Sequence, residues 1–150
     1  EIHYLCGDTE SPESEASRYA ELLKDHPLDI AFIGIGENGH LAFNDPPVAD
    51  FDDPLMAKVV AVDERSRLQQ VTDGRFRFLE EVPVQALTLT IPVVFSAKDI
   101  YCMVPGKTKA EAVRETVKGQ VSPDCPATIL SRHPSASLYL DWDSAGLLRE

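Results

Sequence analysis

The sequence is poor in positive charge and in cysteine, and it has no apolar run long enough to span a membrane. Fourteen Lys and Arg stand against 25 Asp and Glu, a formal charge of −11. That balance argues against nucleic acid and against a membrane as partner, because anionic surfaces would be repelled. An anionic small molecule would be repelled too, so a site for one must gather its few cations locally. Cys6, Cys102 and Cys125 are odd in number and lack metal-ligand spacing, which fits reduced thiols in a cytoplasmic protein better than a disulfide framework. The sequence shows no signal-peptide pattern and no internal repeat. What remains is 150 residues with 43% hydrophobic content, enough for one domain with a single core.

The rest of the chain is organised around Leu28 to Pro47, which contains Gly34-Ile-Gly-Glu-Asn-Gly-His-Leu-Ala-Phe-Asn-Asp-Pro-Pro47. Ile30 to Ile35 is a short apolar run bounded by Asp29 and by glycines, the pattern of a buried strand. Polar groups then crowd together: Glu37, Asn38, His40, Asn44 and Asp45 follow within ten residues. The carboxyl end of a buried strand is where open α/β sheets keep ligands. Gly34 to Gly39 fits the dinucleotide fingerprint GxGxxG, but that motif requires a long helix next. Pro46 and Pro47 leave room for at most two short turns, so dinucleotide binding is set aside. A lone histidine is usually a satisfied core residue. With Asn38 and Asp45 close by in sequence, proton transfer by a histidine held in one tautomer is the better reading of His40.

The flanks read as alternating elements. Ile2 to Cys6 is strand-like, and Ser11-Pro12 starts a helix whose apolar face is Ala16, Tyr19, Leu22 and Leu23 and which ends near Pro27. Asp50, Asp52 and Asp53 lack the glycine turn and distant glutamate of a calcium loop and are read as solvated. Residues 57–63 and 84–90 read as strands, with a helix from Glu64 that carries Arg65 and Arg67. A helix over 91–97, a buried strand over 99–104, a helix over 107–118, a strand over 137–141 and a terminal turn complete the chain. Gly106-Lys-Thr is not a Walker loop, because Tyr101 stands where glycine is needed. Lysines in a first helical turn face the positive end of the macrodipole, so Lys107 and Lys109 suggest an anion there. Two solvated lysines is the plainer alternative, and it is preferred for Lys107. His133, before a proline, is assigned a structural role.

The segment GIGENGHLAFNDPP resembles the loop of the glucosamine-6-phosphate deaminase (isomerase) family, approximately GxGxxGHxxFNEP. The resemblance continues through AVDERSRLQQV and VPGKTKAEAV to the end of the chain. It implies an α/β fold: a mostly parallel, Rossmann-like sheet with helices on both faces, here a partial domain. The related 6-phosphogluconolactonases share the strand and the Gly-His pair but differ after it. The implied activity is aldose–ketose isomerisation with deamination of glucosamine-6-phosphate or galactosamine-6-phosphate, giving a ketose 6-phosphate and ammonia. On this reading the enzyme is classed as a hydrolase as well as an isomerase, and no metal or organic cofactor is required. His40 would open the sugar ring, Asp45 would orient it and Asn38 would be the companion of Asp45. Lys109 would bind the phosphate, with Gly36, Gly39 and Gln70 on the substrate side.

Several departures accompany the resemblance. Asp45 stands where glutamate is usual, Asn38 where some members have aspartate, and Gln70 about where a phosphate-binding arginine is expected. The family's amino-terminal portion, with its phosphate loop and catalytic aspartate, is not in these residues. Residues 1–150 are therefore expected to be the carboxy-terminal part of a sugar-phosphate isomerase/deaminase domain, inactive alone. The partner would be a small-molecule sugar phosphate, and a homo-oligomer is left open. The alternative is a catalytically silent sugar-phosphate-binding or regulatory module, which Gln70 and Asp45 favour and the intact Gly39-His40 and Lys109 oppose.

Overall fold

Three apolar runs form one parallel sheet. They are β1 (Ile30–Ile33), β4 (Asp99–Val104) and β5 (Ala136–Leu140), paired in the order β1-β4-β5. The register sets Ile30 opposite Asp99 and Ile33 opposite Cys102, then Ile100 opposite Ala136 and Val104 opposite Leu140. The computed structural model describes residues 1–149, and the remaining elements are α1 (Pro12–Asp25), β2 (Ala57–Ala61), α2 (Glu64–Thr72), β3 (Gln85–Leu89), α3 (Ile91–Phe95) and α4 (Ala110–Lys118). None of the described helices is long and apolar enough to cross a membrane.

Alternation along the strands decides where the core lies. Ala31, Ile100, Cys102 and Val104 share the buried face with Val94 of α3, Ala112 and Val113 of α4, and Ala127, Ile129 and Leu130 of the 3₁₀ segment Pro126–Arg132. The opposite face lies open. It carries Phe32, 70% exposed, with Ile30, Met103 and Tyr139 each about half exposed. Phe32 stacks on Tyr101 at 5.4 Å between ring centroids, and Tyr101 approaches Tyr139 at 6.3 Å. The α/β class and the parallel sheet are as expected, while the described helices that line the core pack on one face of that sheet.

β2 and β3 do not join it. They pair with each other in antiparallel fashion, from Ala57 opposite Leu89 to Ala61 opposite Gln85, and α1 packs against β2. An antiparallel pair needs no crossover of its own, so two neighbouring runs close on one another through α2 and the turn at Leu79–Glu81. The expected amino-terminal strand is also absent, because its polar groups are taken by α1. Cys6 N–H donates to Glu15 Oε1 at 2.8 Å, Arg18 donates to the Tyr4 carbonyl, and the Tyr19 hydroxyl donates to the His3 carbonyl. Ser11 is the N-cap of α1, although its hydroxyl bonds to Ser14 and not to the helix amides. His133 is structural: its ring lies edge-on to Phe95 and hydrogen-bonds the Ala97 carbonyl at 2.9 Å.

Candidate active site

The chain leaves β1 through Gly34 and Gly36 into the polar loop, and the turn is closed by its own backbone. Gly36 N–H donates to the His40 carbonyl and Gly39 N–H to the Gly36 carbonyl, both at 3.0 Å. A Cβ on Gly36 would lie 2.1–2.4 Å from Cε1, Nδ1 and Nε2 of His40, so the imidazole rests directly on the glycine. Gly39 has φ +83°, a region that disfavours side chains, and a Cβ there would meet Cys125 Sγ at 2.5 Å. Both glycines, expected on the substrate side, thus have a steric role in shaping the loop. Asn44, 1% exposed, ties the far end of the loop down: its amide donates to the carbonyls of Leu41 and Leu89 at 2.9 and 2.8 Å.

These restraints bring His40, Asn38 and Asp45 into direct contact. His40 Nδ1 lies 2.8 Å from Asn38 Oδ1 and 3.0 Å from Asp45 Oδ1. Asp45, with 1% of its side chain exposed, accepts from Asn38 Nδ2 at 2.9 Å on Oδ1 and from the Asp63 backbone N–H at 3.0 Å on Oδ2. Burial alone would raise the Asp45 pKa, but hydrogen bonds from His40, Ser66, Asn38 and the Asp63 amide outweigh it and hold the carboxyl at about 2. Asp45 is therefore a carboxylate at neutral pH. Facing a carboxylate and an amide oxygen, His40 Nδ1 carries the proton in the neutral ring. Nε2 then has the free lone pair, and it takes part in no hydrogen bond among the described residues.

The second wall of the site is α2, which the sequence marks for its arginines and for Gln70. Asp63 caps the helix by accepting from Arg65 N–H at 3.1 Å. Gln69 Oε1 accepts from the Glu37 amide at 3.1 Å, joining the helix to the loop. Ser66, 2% exposed, reaches the cluster itself: its Oγ is 2.9 Å from His40 Nδ1 and donates to Asp45 Oδ1. No motif spacing pointed to Ser66, and the helical phase that turns it toward the loop was the only signal that could have found it. Arg67 is a strap and not a site cation, donating to the Leu79 and Val82 carbonyls at 2.7 and 3.0 Å. Gln70 lines a groove with Phe43, Phe76 and Val82, outside the His40 network.

Lys109 ends a 3₁₀ turn, Lys107–Lys109, that precedes α4, so the expected helix over 107–118 begins as a tighter turn. Burial lowers its pKa, Glu37 and Asp73 oppose that shift, and Arg65 adds to it. The ammonium therefore sits in the field of the loop and of both ends of α2. It forms none of the ion pairs among the described residues.

The glucosamine-6-phosphate isomerase/6-phosphogluconolactonase family model matches residues 1–140. The chain belongs to that family. It is 39% identical over 142 residues to a glucosamine-6-phosphate deaminase of Listeria monocytogenes and 38% identical over 150 residues to one of Exiguobacterium sibiricum. Those matches cover 95% and 100% of this chain, and the chain spans 58% of the length of each relative. The solved structure of a monomeric glucosamine-6-phosphate deaminase superposes with a TM-score of 0.86 at 35% identity, covering 93% of this chain and 56% of that one. A 6-phosphogluconolactonase from Trypanosoma brucei superposes at 0.68 with 16% identity, covering 98% of this chain and 58% of that one, and shares the fold alone. These findings correct one expectation, the hydrolase class. The similar curated proteins are named deaminases, whose main activity is not hydrolysis, and the hydrolases of the family are the distant lactonases.

Proposed function

We propose that these residues form the carboxy-terminal part of an enzyme that isomerises and deaminates an amino-sugar phosphate, glucosamine-6-phosphate or its galacto epimer. The observation that carries the reading is His40 held by Nδ1 against Asp45 and Asn38, with Nε2 left for a proton. Opening a pyranose ring needs a proton delivered to the ring oxygen and another removed from the anomeric hydroxyl. A neutral imidazole fixed in one tautomer performs both transfers, and Asp45 stabilises the imidazolium that exists between them. Asp45 is one methylene shorter than the usual glutamate, yet it reaches His40 directly at 3.0 Å. Asn38 orients both groups by giving and accepting hydrogen bonds, without ionising. Lys109, a half-buried cation, would meet the phosphate and limit its repulsion by the acidic chain.

Ring opening leaves the proton still to be moved from carbon 2 to carbon 1. The base for that step is proposed to lie in the portion of the relatives that this chain does not span. The open sheet face supports the same reading, since parallel sheets are covered on both faces in α/β enzymes. The chemistry calls for no cofactor, and a cytoplasmic location fits the three free thiols. The test is turnover of the natural protein on both amino-sugar phosphates, followed by ammonia and ketose phosphate. Binding of both sugars without ammonia release would favour a silent binding module.

A further inference from the structure

The only buried residue of α2 is a serine, in a helix whose Leu68 is 47% exposed. A helix position facing a core would be apolar, so what selects a hydroxyl here is the polar cluster it enters. Ser66 Oγ–H donates to Asp45 Oδ1, and the same oxygen lies 2.9 Å from His40 Nδ1 and 3.3 Å from Asn38 Nδ2. The hydroxyl gives one hydrogen bond and faces two donors, which uses its full capacity. We propose that Ser66 is a positioning residue for the His40–Asp45 pair: its hydroxyl, bonded to the Asp45 carboxylate, holds that carboxylate aligned with Nδ1 and gives the imidazole proton a third acceptor beside Asn38 and Asp45. The inference rests on the reading that His40 transfers the proton.

Fastening the loop to α2 does not need this hydroxyl. The Asp63 amide already bonds Asp45, and the Glu37 amide already bonds Gln69. What Ser66 adds is a second donor to the Oδ1 that faces the imidazole, while the Asp63 amide is on Oδ2. The other ionisable groups around Asp45 come from two elements. Asp63 and Glu64 begin α2 beside Asp45, and the Asp63 backbone amide donates to its Oδ2. Lys58 of β2 is engaged with Asp53 at 2.7 Å and with the Val48 carbonyl at 2.9 Å, and is not paired with Asp45.

The test uses the natural protein with ¹³C-carboxyl aspartate, with the Asp45 signal assigned by its loss in Asp45→Asn. In Ser66→Ala, protonation of Asp45 should move to higher pH, with kcat lowered about 10- to 100-fold and KM little changed, the scale of one hydrogen bond to a charged group. Ser66→Thr, which retains the hydroxyl, should restore both readings. Ser66→Cys keeps the volume with a weaker donor and should fall between them, so the proposal can be judged even if the alanine variant does not fold. An Asp45 titration that stays in place in Ser66→Ala or Ser66→Cys, or equal losses in the alanine and threonine variants, overturns the role. The titration is read without substrate. An enzyme inactive on amino-sugar phosphates would therefore sink the proposed activity and leave the titration to decide the Ser66–Asp45 link.

Discussion

The two ends of the candidate site are built on opposite plans. Around His40 the side chains of Asn38, Ser66 and Asp45 satisfy one another, and Asp45 accepts from four groups although it is almost wholly buried. Around Lys109 the ammonium is half-buried, displaced toward its neutral form by burial, and without an acidic partner in ion-pair contact among the described residues. The difference separates two kinds of preorganisation. A proton-transfer group gains from being fixed before substrate arrives, because its geometry then costs nothing at the moment of reaction. A phosphate-binding group gains from lacking a partner, because an internal salt bridge would have to be broken first.

Breaking the ordered end should have the largest effect. In the natural protein, His40→Gln is expected to reduce turnover roughly 10²–10⁴-fold, the usual scale of general acid–base catalysis, with little change in substrate binding. Steady-state kinetics beside calorimetric titration would show it, and near-normal turnover on the closed-ring sugar would remove His40 from the mechanism. Gly36→Ala attacks the same end without removing a polar group. Its methyl would displace the imidazole on which it lands, so turnover should drop while the unfolding free energy falls by the amount expected of overpacking, about 1–3 kcal/mol. A crystal structure of the variant with the ring unmoved would contradict this.

The unpartnered end should respond by affinity. Lys109→Ala is expected to weaken binding of an amino-sugar phosphate by roughly 1.5–3 kcal/mol and to leave a neutral amino sugar unaffected. Equal weakening of both ligands would make the lysine structural. The smallest effect concerns acid stability. The folded-state pKa of Asp45, about 2, lies below its ordinary 3.8, so its contribution is fully present above about pH 4 and is lost as pH falls toward 2. Asp45→Asn should therefore show a stability deficit at neutral pH, on the order of 2 kcal/mol, that narrows below about pH 4. Parallel denaturant curves across that range decide it, and a pH-independent deficit would mean that Asp45 is not held ionised by the cluster.

The ordered end was the more legible in sequence because most of it is local. Asn38, His40 and Asp45 lie within eight positions, and their glycines and prolines announce a loop after a buried strand. Ser66 was not legible, since it enters the cluster from another element 21 residues beyond Asp45. Alternation identified β2 and β3 as strands but carries no information about partners, so their separate antiparallel pairing was missed. The amino-terminal run has strand composition, yet its backbone groups are claimed by Glu15, Arg18 and Tyr19 of α1. Local propensity yields to whichever element satisfies the backbone first.

For residues 1–149 taken on their own, the open face of the three-stranded sheet sets how copies meet. β1 pairs on one side only and displays Phe32 beside an unpaired strand edge, a surface that attracts further strands. Against that attraction stands a formal charge of −11, which keeps molecules apart over the Debye length, about 30 Å at 0.01 M salt and about 3 Å at 1 M. Stickiness and repulsion thus work over different ranges. Ionic strength becomes the control for colloidal behaviour: dilute buffer favours dispersed chains, and concentrated salt lets the aromatic strip and the bare edge meet.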